Sequence, residues 1–467
     1  MSAALSSFET QWRARTPDAL QPIREQAMQR FLKLGLPSQR DETWRYTDLR
    51  SLAAQTYVEA GCAVADASAN AGASANAGAS ANAGASANAG ASAGTGTNAG
   101  ATSGIASMSL VNAGQHPATL TMINGCPPLS ADFPAINGIE INSIKTLYKQ
   151  DPNSVRRFFE AASDADQLRW VLLNTALFID GLYLKITGSV ATPIVIRHVS
   201  TGNSTQAAHP RIIIDLSPGA SATIIEQHVS AGDSGPLSNS NTHIALARDA
   251  RLEHYRVYAT GAGAAHLDSL DIEQSEGSQC RQFTIALGGG LVRSSMEARL
   301  NQRGASLESF ALLAGHQERH VDCVNIVTHA ARDTRSRQTA RAIASDSSRV
   351  IFNSKVIVNA GANGSDSKQS CRGLLLSPNA EIDTRPQLEI HADEVKCAHG
   401  ATTGRLDPDM LFYMLSRGLE RETAQSLLVF AFLADVLTGM SVGSAREAIE
   451  NALISQLPDA QILRKFR

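Results

Sequence analysis

Cys397 and His399 stand two residues apart in "HADEVKCAHGATTG", His391 to Gly404, between a strand-like run and a glycine-bounded turn. If the strand suggested by "QLEIHADEVKCAH" continues through them, that spacing puts both side chains on one face. Thiolate and imidazole together suit iron, zinc or copper. Two ligands do not close a tetrahedral site, and no second cysteine or histidine pair lies nearby in sequence. Two readings stand open. Either His391, His329, Cys371 or a second chain completes a metal site, or Cys397 is a buried thiol and His399 bonds a backbone carbonyl.

Other chemistry-bearing residues point less sharply. "GHQERH" spaces His316 and His320 as zinc proteases space theirs, but its Glu is misplaced and the flanks read as strand. His198, His228 and His254 sit beside strand-like runs, where a hydrogen-bonded structural role is expected. The six cysteines form no C-x-x-C pair, so each is expected to be a reduced thiol rather than part of a disulfide framework or zinc ribbon. A G-x-S-x-G match at Gly90 to Gly94 lacks the flanking strand and helix of a hydrolase elbow. The chain has no Gly-Lys pair, which a P-loop requires, so it is not itself a P-loop ATPase.

The elements that must position Cys397 and His399 are mostly strands. Between about Leu120 and Ile390, β-branched runs such as "RIIIDL", "ATIIEQHV" and "VIFNSKVIV" alternate with turn residues. A unit of a small turn residue, a polar residue and an apolar strand recurs at "GASATI", "DARLEH", "GSQCRQF", "GASLESF", "SSRVIF" and "NAEIDT". The early members fall roughly 27 to 30 residues apart, the interval of stacked supersecondary units. A β-solenoid, or parallel β-helix, fits best, with a β-sandwich as the rival. A helical period precedes these strands at Phe8 to Leu34, and another interrupts them near 154–178. After Gly404 come a helix capped by Asp407, with Pro408 at its first position and Gly418 as its stop, a longer apolar helix around Leu427 to Leu437, and a third from about Ser444 to Gln456.

From Ala65 to about Gly104 the chain collapses to a six-residue "ANAGAS" repeat with no aliphatic residue for a coil interior. A disordered insertion is expected there. The implied organisation is an N-terminal helical region over 1–64, the low-complexity insertion over 65–104, a β-helix core over 105–400 and a C-terminal helical domain over 401–467.

Composition narrows the function classes. With 467 residues, 43% of them hydrophobic, a sizeable core is available; a net charge of −3 without a basic block argues against a nucleic-acid partner. The start lacks the apolar core of a signal peptide and no run of about 18 apolar residues follows, so a cytoplasmic protein without a membrane partner is expected.

"LEIHADEVKCAHGATTGRLDPDMLFYMLSRGL" resembles the C-terminal signature of the SufB/SufD family of the SUF iron–sulfur cluster assembly machinery. "NGSDSKQSCRGLLLSPNAEIDTRPQLEI" continues the likeness, "HVDCVNIVTHAARDTRS" does so more weakly, and "DETWRYTDL" is similar to the D-type members. The resemblance implies a mainly β fold, a right-handed parallel β-helix flanked by N-terminal and C-terminal helical regions. It implies a non-enzymatic scaffold that pairs with a SufB-like subunit through the β-helix and binds a SufC-like ABC ATPase through the C-terminal helices. Nucleotide hydrolysis would then belong to another subunit. By motif matching, His399 is the D-side functional histidine at the subunit interface and Cys397 its accompanying cysteine, ligands to iron or to a transient iron–sulfur cluster shared with the partner. Lys396 falls on the opposite face, and Cys371 stands where the family pattern leads us to expect a polar residue. Cluster type, stoichiometry and flavin binding are left open. The competing functions are a carbohydrate-active β-helix enzyme, disfavoured by an aromatic content of 5%, and a stand-alone metal-binding protein.

Overall fold

The computed structural model of the chain describes residues 2–62, 118–128, 132–159, 165–233 and 235–456. The "ANAGAS" repeat, with its expected disorder, lies outside them, as does the Gly90 to Gly94 match.

From Ser221 onward the chain lays successive strands alternately into two sheets. Ser221–Ser230, Arg251–Ala259, Gln279–Ala286, Ser306–Gly315, Arg335–Ala344, Asp366–Leu375 and Lys396–Gly404 stack in order in one sheet. The strands between them, from Leu237–Leu246 to Glu381–Ile390, stack in the other. Every neighbouring pair in these stacks is parallel. The fold is therefore a parallel β-solenoid rather than a sandwich.

Most solenoid strands are buried on both faces, and their polar residues, such as Ser238, Asn239, Ser240 and Asn241, are buried with the apolar ones. Alternate residues enter the solenoid, where Ile224, Ile244, Leu252, Leu270, Ile272 and Met296 pack together. On the outer face of one sheet, Tyr255, Phe283 and Phe310 are in register and stack with centroids 4.7 Å apart. Helices Arg421–Leu437 and Gly443–Gln456 cover that face through Val429, Leu433, Val436, Ile449 and Leu453. The other sheet is covered by Ala3–Ala14, Gln21–Leu34 and Ala165–Leu177, which pack Phe8, Phe31 and Leu173 against Leu237 and Leu267.

One corner of each coil is a tight turn with a residue at positive φ: Gly219, Asp249, Gly277, Gly304, Asp333, Gly364 and Glu394. The residue after it is small and buried at Ala220, Ala250, Ser278, Ala305, Thr334 and Ser365. At Gly364 a Cβ would meet the Asp333 carboxylate of the preceding turn, so stacking reinforces the backbone's own preference for glycine. Four of the six sequence units begin at this corner, whereas "SSRVIF" and "NAEIDT" open strands of the other sheet. The two corners use the same turn chemistry, so short motifs do not tell them apart.

One cysteine expectation is corrected. Cys62 and Cys126 form a disulfide, with Cα atoms 5.8 Å apart and a sequence separation of 64. Val58–Glu59 pairs with Gln206–Ala208, and Asn124 Nδ2 donates to the Gly61 carbonyl at 2.9 Å, which brings the two cysteines together. Spacing rules for neighbouring cysteines are blind to such a contact.

Candidate functional site

Cys397 and His399 lie on Lys396–Gly404, the last strand of its sheet. The register pairs Cys397 with Ser367 and His399 with Gln369, both almost fully buried in the solenoid. Cys397 and His399 therefore share the face that points inward in every earlier coil. No further strand among the described residues stacks on this one, so the imidazole of His399 is exposed and its backbone edge is open. Cys397 is half-buried and, like Leu388, Ala392 and Val395, packs against the apolar interior of the solenoid. Burial pushes its thiol above the ordinary cysteine range, partly countered by a backbone hydrogen bond at Ser367. A metal taken up here must displace the thiol proton.

The three residues that sequence offered as completing ligands go elsewhere. His391 Nε2 pairs with Glu389 Oε1 at 2.9 Å. His329 is buried, its ring nitrogens 2.8 Å from the hydroxyls of Thr334 and Ser336. Cys371 is buried, which pushes its thiol up to about 12. Among the described residues, Cys397 and His399 have no third metal-capable side chain grouped with them.

The C-terminal helices divide in role. The apolar face of Arg421–Leu437 is spent on the sheet. Pro408–Ser416, whose Asp407 cap accepts from the Asp409 amide at 2.9 Å, instead leaves Met410, Phe412 and Tyr413 at 57%, 71% and 58% exposure.

A second constellation, missed from sequence, lies inside the solenoid. His198 and His228 are register partners with rings stacked at 4.3 Å, and Tyr258 stacks on the other side of His228 at 5.1 Å. Glu226 Oε2 lies 3.3 Å from His198 Nε2 and accepts from Thr242 Oγ1 at 3.0 Å, while its Oε1 lies 2.7 Å from His254 Nε2. Burial alone would raise the Glu226 carboxyl, but the two imidazoles hold it well below the usual carboxylate range. Asp268 is matched by the buried Arg256 and also accepts from Tyr258 and Ser240. His198 and His254 thus have the structural hydrogen bonds expected of them; His228, 2% exposed, has none at either ring nitrogen among the described residues. The available signal was an interval: His198 and His228 are separated by one coil, and Glu226 precedes His228 by one strand period.

With this geometry in view, two family comparisons bear on the chain. The SufBD core domain of SUF-system iron–sulfur cluster assembly matches residues 198–432, and the SufBD N-terminal region matches residues 6–65. The iron–sulfur cluster assembly protein SufD of Escherichia coli is 26% identical over 97% of this chain and 95% of its own length. A SufBD family protein of Synechocystis is 26% identical over 88% of this chain and 85% of its own length. SufD of Bacillus subtilis is 24% identical over 68% and 73% respectively. A parallel solenoid that ends on an exposed Cys-x-His strand, matched by the core profile over half of its length, belongs to the SufBD family of SUF iron–sulfur cluster assembly proteins.

Proposed function

We propose that this chain is the non-catalytic D-type scaffold of a SUF assembly complex. Its last solenoid coil abuts a SufB-like subunit, and its C-terminal helices bind a SufC-like ABC ATPase. His399 as neutral imidazole and Cys397 as thiolate offer ligands to iron or to a nascent cluster, which is cargo shared with the partner. The observation that carries this reading is the incomplete Cys-x-His set on a terminal strand whose outer edge is unpaired among the described residues: the donors are presented, and the open edge supplies backbone groups to which another solenoid can hydrogen-bond.

The ATPase contact is assigned to the Pro408–Ser416 helix because Met410, Phe412 and Tyr413 form an exposed apolar surface that the solenoid does not use. No helix among the described residues is long and apolar enough to cross a membrane.

Co-purification separates the two contacts. Phe412→Asp, on an exposed helix position, should lower recovery of the ATPase by about tenfold while the B-type subunit is retained, since burying a charge in an apolar contact costs more than the ~1.4 kcal/mol that a tenfold change represents. Ala401→Pro on the terminal strand should weaken B-type pairing and spare the ATPase. Unchanged recovery of both partners in both variants would remove the assignment of these surfaces.

A further inference from the structure

We propose that His198, Glu226 and His228 form a site for one divalent first-row transition ion, iron(II) or zinc(II), inside the solenoid. The starting observation is His228, a buried imidazole with neither nitrogen hydrogen-bonded among the described residues. Leaving a buried polar group unpaired is costly, and such a group calls for an occupant. The ligand atoms of His198, Glu226 and His228 all lie within 4.8 Å of one another, and those of His228, His266 and Asp268 do so as well. His228 is the ring common to both sets.

The first set is the better cation site. Asp268 is already tied to Arg256 and hydrogen-bonded by Tyr258 and Ser240, so its charge is compensated. Glu226 makes no ion pair with arginine or lysine among the described residues, and Arg256, its register neighbour, acts on it only through space while paired to Asp268; its hydrogen-bond contacts are the imidazoles of His198 and His254 and the hydroxyl of Thr242. His254 and Thr242 can keep these contacts and hold the carboxylate in place while it ligates, the role that outer hydrogen bonds play around bound metals. Two imidazoles and one carboxylate without thiolate suit iron(II) or zinc(II) over copper(I). Bonds of about 2.0–2.1 Å require donors about 3.4 Å apart, so small ring rotations of His198 and His228 would close the set.

This site is separate from the terminal pair. The register column His254, Gln282, Ser309, Gln338, Gln369, His399 spans five strand steps, about 24 Å at 4.8 Å per step. The site does not depend on the subunit assignment above.

The test uses the full chain expressed alone in zinc- or cobalt-supplemented medium, so that metal is present before the solenoid closes, and desalted before elemental analysis. About one equivalent of zinc, or of cobalt with visible ligand-field bands, is expected in the wild type and in the double variant Cys397→Ser/His399→Ala. Anaerobic expression with iron(II) distinguishes the two native candidates. His228→Phe keeps an aromatic ring between His198 and Tyr258, and Glu226→Gln keeps the carboxamide shape; circular dichroism reports whether each is folded. Retained metal should fall at least tenfold in whichever variants fold. Metal absent from folded wild type, retained by either folded variant, or lost from the Cys397/His399 double variant overturns the proposal.

Discussion

Replacing His399 by alanine is expected to lower the iron and acid-labile sulfide recovered with the co-expressed, anaerobically purified B–C–D complex by at least about tenfold, the lower end of what losing one metal-site contact costs. The complex itself should still form. His399 is exposed, and its ring takes part in no hydrogen bond among the described residues, so its removal should change stability by no more than about 0.5 kcal/mol. That separation of assembly from loading distinguishes a ligand from a packing residue. Lys396→Ala, on the opposite face of the same strand, serves as the matched control and should leave cluster yield near wild type. His399→Cys, which substitutes a thiolate for an imidazole, should recover part of the loss. An assembled His399→Ala complex with undiminished iron and sulfide would end the case for this residue.

Acid should unfold the chain well above the range in which its carboxylates protonate. His209, His243 and His329 are buried, and burial pushes their imidazoles down to about 3, about 3 and about 4, with neighbouring Arg15 and Arg211 adding to the shift at the first two. In the unfolded chain they titrate near the ordinary value of about 6.5. Below that value the unfolded state binds protons that the native state does not, so stability is fully present above pH ~6.5 and is lost as pH falls toward the folded values. Each histidine removes about 1.4 kcal/mol per pH unit across that window. Three together remove about 4 kcal/mol per unit, against a total stability on the order of 5–15 kcal/mol. The urea midpoint should fall steeply between pH 6.5 and 4.5, with His266 and His316, also pushed down to about 4 by burial, adding to the slope, and His243→Phe, placed edge-on to Phe158, should take about 1.4 kcal/mol per pH unit off it. A midpoint independent of pH over this range would show that these rings are charged or solvated in the native protein.

Several features could be read before any coordinates. The Asp407 cap, Pro408 at the first helical position and the Gly418 stop stand where expected, because capping depends on a few consecutive residues and their dihedral preferences. The helices at both ends follow from their apolar periodicity. The solenoid was visible as a recurrent unit, although two of the six units belong to the opposite sheet and the turns at Asp333 and Gly364 were not among them. Those turns have the same job but different residues: positive φ is tolerated by aspartate as well as glycine, so composition alone under-counts the corner.

What the sequence by itself determined is whatever repeats over a few residues: the common face of Cys397 and His399, the caps, and the coil interval. Tertiary structure alone decided that this face lies open at His399 yet is sealed at Gln369, since the two strands have the same parity and differ only in whether another coil follows. It also decided that His228 lies beside His198, Glu226 and His266, and that Cys62 meets Cys126. Strand parity is a property of the local backbone, whereas register between coils is fixed by packing among residues tens of positions apart, and no short stretch of chain carries that information.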